Sequence, residues 1–136
     1  DEIDVEFKGR MGDKKLKLIK LIPENSTMDL PPDILRIALR NLISNAIKFS
    51  NQSGAIEVIY SNKTLEVKDF GLGISPEKQK QLFKKEVDTS LGTNNEEGFG
   101  MGLYIVSELL YKYNHIILVN SKVNVGTIFI VKPKTV

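Results

Sequence analysis

The sequence predicts an α+β domain in two layers, with one mixed, mostly antiparallel sheet of about five strands packed on three helices. Three observations carry this. Leu35, Leu39, Leu42, Ala46 and Phe49 recur at steps of four and three, as one stripe of a helix facing a core does. Two pairs of short β-rich runs, 55–60 with 64–68 and 116–120 with 127–132, are each joined by a few turn-forming residues. The 136 residues are 41% hydrophobic and include no cysteine, so one core of ordinary size must hold the chain without disulfides.

Taken in order, residues 1–30 read as extended structure. Ile3, Val5 and Phe7 alternate with charged residues, and Leu16, Leu18 and Leu21 do so less cleanly, with Gly9 and Gly12-Asp13 as the turn between them. Pro31-Pro32-Asp33 opens the first helix: proline suits the first turn, and the aspartate favours the positive end of the helix dipole. Residues 51–54 end it. After the first hairpin, Ser75-Pro76-Glu77 starts a second helix reaching about Lys84, with Ser75 as its cap. The polar stretch 85–97 is long for a connection, and loops of that length often act as lids. A third helix follows from Met101 to about Tyr113, then the second hairpin.

Composition narrows the function classes. Net charge is +2 and 26% of residues are charged. The densest basic cluster, Lys14, Lys15, Lys17 and Lys20, lacks interleaved aromatics and reads as a solvated strand face rather than a nucleic-acid site. No apolar run approaches the roughly 20 residues that cross a bilayer. Asp1, Glu2 and Asp4 carry the wrong charges for a signal peptide. The chain opens on Asp1 rather than methionine, so a longer parent is expected, with room upstream for a membrane segment.

Three groups of residues offer chemistry. Asn41, Asn45 and Lys48 share one face of the first helix. Two amides and an ammonium along one line suit a magnesium-bound phosphate, though solvated surface residues look the same. Asp69-Phe70-Gly71-Leu72-Gly73-Ile74 follows a strand directly. Its glycines permit close backbone approach, and Asp69 at a strand end can accept from an exocyclic amine; a capped tight turn is the alternative. Gly98, Gly100 and Gly102 alternate just before a helix and expose backbone N–H groups as an anion site or a hinge. Gly126-Thr127 by itself is a turn.

Together, and in this order, the groups resemble the catalytic domain of bacterial sensor histidine kinases, in the superfamily of gyrase, heat-shock chaperone, histidine kinase and mismatch-repair ATPases. Asn41 to Ser50 is similar to its N box, Asp69 to Ile74 to G1, Lys78 to Glu86 to the F box, Gly98 to Leu103 to G2, and Gly126-Thr127 to the last glycine box. The likeness covers 31–133 and implies a Bergerat ATP-binding fold over a single domain, 1–136. It implies that Asn45 holds Mg2+ and that Asn41 supports it, that Lys48 meets the phosphates, and that Phe49 packs near the nucleotide. Asp69 would read the adenine amine, with Gly71, Gly73 and Ile74 wrapping the base and Thr127 beneath it. Phe83 would help to bind the nucleotide and anchor a lid over 85–97. Gly98, Gly100 and Gly102 would hinge that lid and touch phosphate, with Met101 and Leu103 also binding the nucleotide.

The hydrolytic relatives place a glutamate where this chain has Asn41. An amide cannot take a proton near neutral pH, so transfer to an external nucleophile is favoured over hydrolysis. The resemblance thus implies ATP and Mg2+ as substrate and cofactor. The acceptor would be a histidine on a dimerisation domain expected upstream in the same parent, with a response regulator receiver domain taking the phosphate next. The isolated domain is expected to be a cytoplasmic monomer that cannot phosphorylate itself, its parent anchored in the inner membrane or not. An ATPase clamp, an anti-sigma-type serine kinase and a non-catalytic nucleotide switch stay open. Two departures stand out: no second aromatic follows Phe83, and Tyr113-Asn114-His115 replaces the usual His-Gly-Gly. His115, the lone histidine, reads as a structural or surface residue. Asp69-Phe70-Gly71 also matches the Asp-Phe-Gly of eukaryotic protein kinases, but no catalytic His-Arg-Asp loop accompanies it, and no Gly-Lys-Ser/Thr phosphate loop occurs.

Overall fold

The opening segment is helical, not extended. In the computed structural model, which describes residues 2–51, 53–84 and 102–134, helix α1 runs Glu2–Asp13. The alternation of three apolar residues concealed a four-residue step: Phe7 and Met11 lie one turn apart and both are buried. Gly9 and Gly12, read as turn residues, sit inside the helix, where each costs roughly 0.5–1 kcal/mol relative to alanine. The helix ends one step later. Lys15 takes a left-handed conformation (φ 56°), while Lys15 N–H bonds the Gly12 carbonyl and Leu16 N–H the Met11 carbonyl, the pairing of a Schellman cap.

Strand β1 (Lys17–Leu21) then pairs parallel to β2 (Ala55–Ser61). Between them helix α2 (Pro32–Phe49) forms the spine of the helical layer. Its most buried residues are Ala38, Leu42, Ile43, Ala46 and Ile47, so its core face is rotated slightly from the expected stripe and leaves Leu35 and Leu39 half-buried. β2 turns into β3 (Thr64–Asp69) through Asn62 and Lys63, both at positive φ, as a two-residue hairpin of the primed type requires.

Helix α3 (Pro76–Gln79) is one turn long, shorter than the sequence suggests, and bonds of i to i−3 carry the chain on to Lys84. Ser75 caps it as expected, accepting from Lys78 N–H at 3.3 Å. Helix α4 (Gly102–Lys112) buries Leu103, Val106 and Leu110. Strands β4 (His115–Lys122) and β5 (Gly126–Pro133) close the fold. The sheet order is β1-β2-β3-β5-β4, with every pair but β1–β2 antiparallel.

The layers meet where alternate strand residues face the helices. Ile56, Val58, Leu65, Val67, Ile117, Phe129 and Val131 from the sheet pack on Leu42, Ile43, Ala46, Ile47, Val106 and Leu110. The intervening strand residues, among them Glu57, Glu66 and Lys68, are less buried, as one-sided antiparallel sheets allow. Among the described residues no helix is long and apolar enough to cross a membrane.

Candidate functional site

The register of the sheet sets where the site lies. Asp69, last in β3, pairs with Thr127, second in β5, and Lys122 at the end of β4 pairs with Gly126. One end of the sheet therefore collects Asp69, Thr127 and the loop leaving β3. The last turns of α2 reach the same place, because Leu72 N–H donates to the Phe49 carbonyl at 2.9 Å.

Asp69 is 3% exposed. Its Oδ1 accepts from Gly71 N–H at 3.0 Å, and the Thr127 backbone also bonds the carboxylate. Burial outweighs these bonds and raises its pKa from 3.8 to about 6. A carboxylate held in so dry a place gains from any further donor that a ligand brings.

Three glycines let the backbone close around it. A Cβ on Gly71 would stand 1.9 Å from the Phe49 carbonyl oxygen, one on Gly73 (φ 71°) 2.1 Å from that of Lys122, and one on Gly126 (φ 147°) 2.2 Å from that of Asp69. Each chain passes closer to its neighbour than any side chain permits. The outer end of the loop is tied down as Asn124 N–H donates to the Leu72 carbonyl at 2.7 Å.

Ser121 and Gln79, which the sequence reading did not single out, complete the framework. Ser121 Oγ accepts from Ile74 N–H at 2.8 Å, donates to the Gly126 carbonyl at 3.0 Å, and lies 2.7 Å from Thr127 Oγ1. Because the carbonyl can only accept, the Ser121 proton goes there and Thr127 donates to Ser121. Thr127, 2% exposed, is thereby fixed in orientation. Gln79 Nε2 donates to the carbonyls of Ile74 (2.7 Å) and Ser121 (3.2 Å), joining α3 to the same corner. Only the pairing of Ser121 with Thr127 across the second hairpin could have flagged the serine from sequence.

The expected metal and phosphate residues lie along α2. Asn45 is half-buried one turn before Phe49, and Asn41 another turn back, about 6 Å further along the axis. Asn41 Nδ2 donates to the Ile37 carbonyl at 3.0 Å, which turns its amide hydrogens into its own helix. Lys48 is buried, its Nζ 4.9 Å from the centre of the Phe49 ring, a cation–π contact. Ile74 and Leu103 belong to the hydrophobic core, and Phe83 packs against it half-buried. Gly102 begins α4. Gly98, Gly100, Met101 and the expected lid 85–97 lie outside the described residues.

The structure corrects one expectation about basic groups. Lys14 is not on a solvated strand face: it is 2% exposed, at the end of α1. His115, expected as a structural or surface residue, is structural. It is 3% exposed, and its Nδ1 lies 2.8 Å from the Tyr113 carbonyl. It begins β4 at the opposite end of the sheet from Asp69. A cleft of about 260 Å³ at that far end, lined by Thr27, Asp29, Tyr60, Lys63 and His115 among others, contains none of the residues of the candidate site.

Comparison with known proteins gives the family and the fold. Residues 31–136 match the family described as histidine kinase-, DNA gyrase B- and HSP90-like ATPases. The chain is 38% identical over 103 residues to the histidine protein kinase SaeS of Staphylococcus epidermidis, covering 71% of this chain and 29% of SaeS. It is 33% identical over 116 residues to the sensor protein EvgS of Escherichia coli, covering 79% of this chain and 10% of EvgS. The chain thus spans less than a third of the length of these relatives. Its fold is similar to the catalytic domain of the histidine kinase ThkA, with a TM-score of 0.80 at 21% identity over 98% of this chain and 90% of that one. It is also similar to full-length ShkA in complex with AMPPNP, with a TM-score of 0.73 at 22% identity over 98% and 28%.

Proposed function

The chain belongs to the family of histidine kinase-, DNA gyrase B- and HSP90-like ATPases, as an ATP-binding catalytic domain of the histidine kinase type, and we propose that it passes the γ-phosphate of ATP to a histidine on a separate dimerisation domain of its parent. A response regulator receiver domain would then take the phosphate. This reading places the domain in the cytoplasm, where ATP is available.

The observation that carries the proposal is the dry corner around Asp69. A buried carboxylate, a tight glycine loop and the end of an amide-bearing helix meet at one end of the sheet. Asp69 there accepts a hydrogen bond from the adenine amine, Thr127 packs beneath the base, and Gly71 and Gly73 let the backbone lie against it. Phe49 and Ile74 flank the base. Lys48 balances phosphate charge, swinging from its contact with Phe49 toward the triphosphate.

The donor set suits magnesium. Among the described residues no three His, Cys, Asp or Glu side chains cluster as a metal site. An ion that keeps waters and takes phosphate oxygens needs little more from the protein than the Asn45 amide oxygen, with Asn41 beside it. When bound, the ion supplies neutralisation of charge on the transferring phosphoryl group. The protein's part is positioning. Asn41 cannot activate water, so the phosphoryl group waits for a nucleophile brought by another domain.

Mixing the chain with a histidine-bearing dimerisation domain of a matching kinase and labelled Mg-ATP tests the proposal. Label on the histidine, lost in Asn45→Ala, is the expected result. Steady ATP hydrolysis by the chain alone would point to an ATPase clamp, and tight nucleotide binding without any transfer would point to a non-catalytic switch.

A further inference from the structure

Lys14 has no part in the mechanism above, yet it is buried beneath the site. Its Nζ donates to the carbonyls of Ile47 at 2.7 Å, Lys48 at 3.0 Å and Ser50 at 3.3 Å. Burying an ammonium costs several kcal/mol unless it is well partnered. Here three donors meet three carbonyls at the negative end of an 18-residue helix, where the Ile47 carbonyl also accepts from the capping Ser50 N–H at 3.4 Å. The Lys14 carbonyl in turn accepts from Ser53 N–H at 2.7 Å, so backbone and side chain hold both sides of the same bend.

The segment clamped in this way contains Phe49. Its carbonyl accepts from Leu72 N–H and occupies the place that a Gly71 side chain would take. Gly71 N–H reaches Asp69 Oδ1. The contacts therefore run without a gap from the ammonium to the end of α2, from there to the loop, and from the loop to the carboxylate. A second bond from α1, Arg10 Nη1 to Ser44 Oγ at 2.9 Å, grips α2 beside Asn45.

We propose that Lys14 is a positioning residue for the nucleotide site: it fixes the end of α2, and through the Phe49 carbonyl it sets the loop that orients Asp69 toward the base. This makes α1 a working part of the site rather than a spacer before it. The inference rests on the reading of Asp69 as the adenine acceptor.

The test is Lys14→Met, which keeps the apolar stem and removes the donors. Amide hydrogen exchange at Leu72 and Gly71 is compared with that at Val131 in the middle of the sheet, and adenosine affinity is measured by calorimetry. The expected result is roughly tenfold faster exchange at Leu72 and roughly tenfold weaker adenosine binding, the scale of one charged hydrogen bond, with Val131 unchanged. Wild-type exchange at Leu72 together with wild-type adenosine affinity would overturn the proposal. Should Lys14→Met not fold, Lys14→Gln, which keeps one amide donor, is judged by the same two readouts. Failure of the wild-type chain to bind adenosine would instead overturn the functional reading, leaving the exchange at Leu72 to decide the role of Lys14.

Discussion

Asp69 shows how one residue joins stability to function. Its pKa, raised from 3.8 to about 6 by burial, means that the folded state holds this proton more tightly than the unfolded chain does. The stability it lends is complete below about pH 4, declines as pH rises through about 6, and stays lost above that. The cost of keeping the charge at neutral pH is roughly 3 kcal/mol. Asp69→Asn should therefore raise the stability of the free domain at pH 7 by up to that amount, and flatten its pH dependence between 4 and 6. Urea titrations at pH 4, 5, 6 and 7 check this, and a variant that is less stable at pH 7 would contradict it. The same substitution should weaken adenosine binding, a loss of function accompanied by a gain in stability.

The glycines make a sharper steric claim. In Gly71→Ala the new methyl meets backbone, which cannot swing away, and destabilisation of roughly 1–3 kcal/mol is expected, measured as a lowered urea midpoint. At this scale the sequence was legible where a residue's chemistry shows in its type. Asp69, Gly71 and Gly73 stand out beside a strand end. Ser121 and Lys14 do not, because a serine in a hairpin and a lysine in a basic run are ordinary until the fold brings a distant carbonyl or hydroxyl to them.

At the scale of elements, local pattern served where an element's own period matched its burial. α2, α4 and both hairpins lie close to where their apolar spacing puts them. α1 was misread because three apolar residues satisfy a period of two and two glycines imitate a turn. The decisive pair, Phe7 and Met11, buries against α2 only after the chain has folded. α3 was overestimated because Leu82 and Phe83 pack on the core from a series of tight turns as well as they would from a helix. Helices α2 and α4 are each held by a side chain with no exposure: Ile47 on α2 and Leu110 on α4 are both 0% exposed. Leu110→Ala should cost roughly 2–5 kcal/mol, because the rigid sheet and α2 cannot collapse into the space left. A thermal melt shows whether it does. Leu110 takes no part in the hydrogen bonds that build the site, so the variant's nucleotide affinity, measured well below the melting point, should remain near that of the wild type.

Across the whole molecule, the sheet separates two ends with different residues. One end gathers Asp69, Thr127, the glycine loop and the close of α2. The other holds the hairpin turn at Asn62-Lys63, the start of β4 at His115 and the end of β5 at Pro133. The order of the boxes in the sequence foretold this convergence only through family resemblance, because nothing in residue spacing reveals that β5 inserts between β3 and β4. That insertion is what places Thr127 beside Asp69, and so it makes a site out of parts 58 positions apart. A domain that binds the nucleotide but lacks a general base at Asn41 leaves the choice of acceptor to whatever is brought to it.

The most direct measurement follows backbone amide shifts of the chain during titration with Mg-ATP. The account predicts saturable shifts at Asn41, Asn45, Lys48, Asp69, Gly71, Gly73 and Thr127, with the far end of the sheet around Lys63 and His115 unmoved, and loss of the Asp69 and Gly71 shifts in Asp69→Asn. Shifts centred on the far end, or none at either end with millimolar nucleotide, would contradict it.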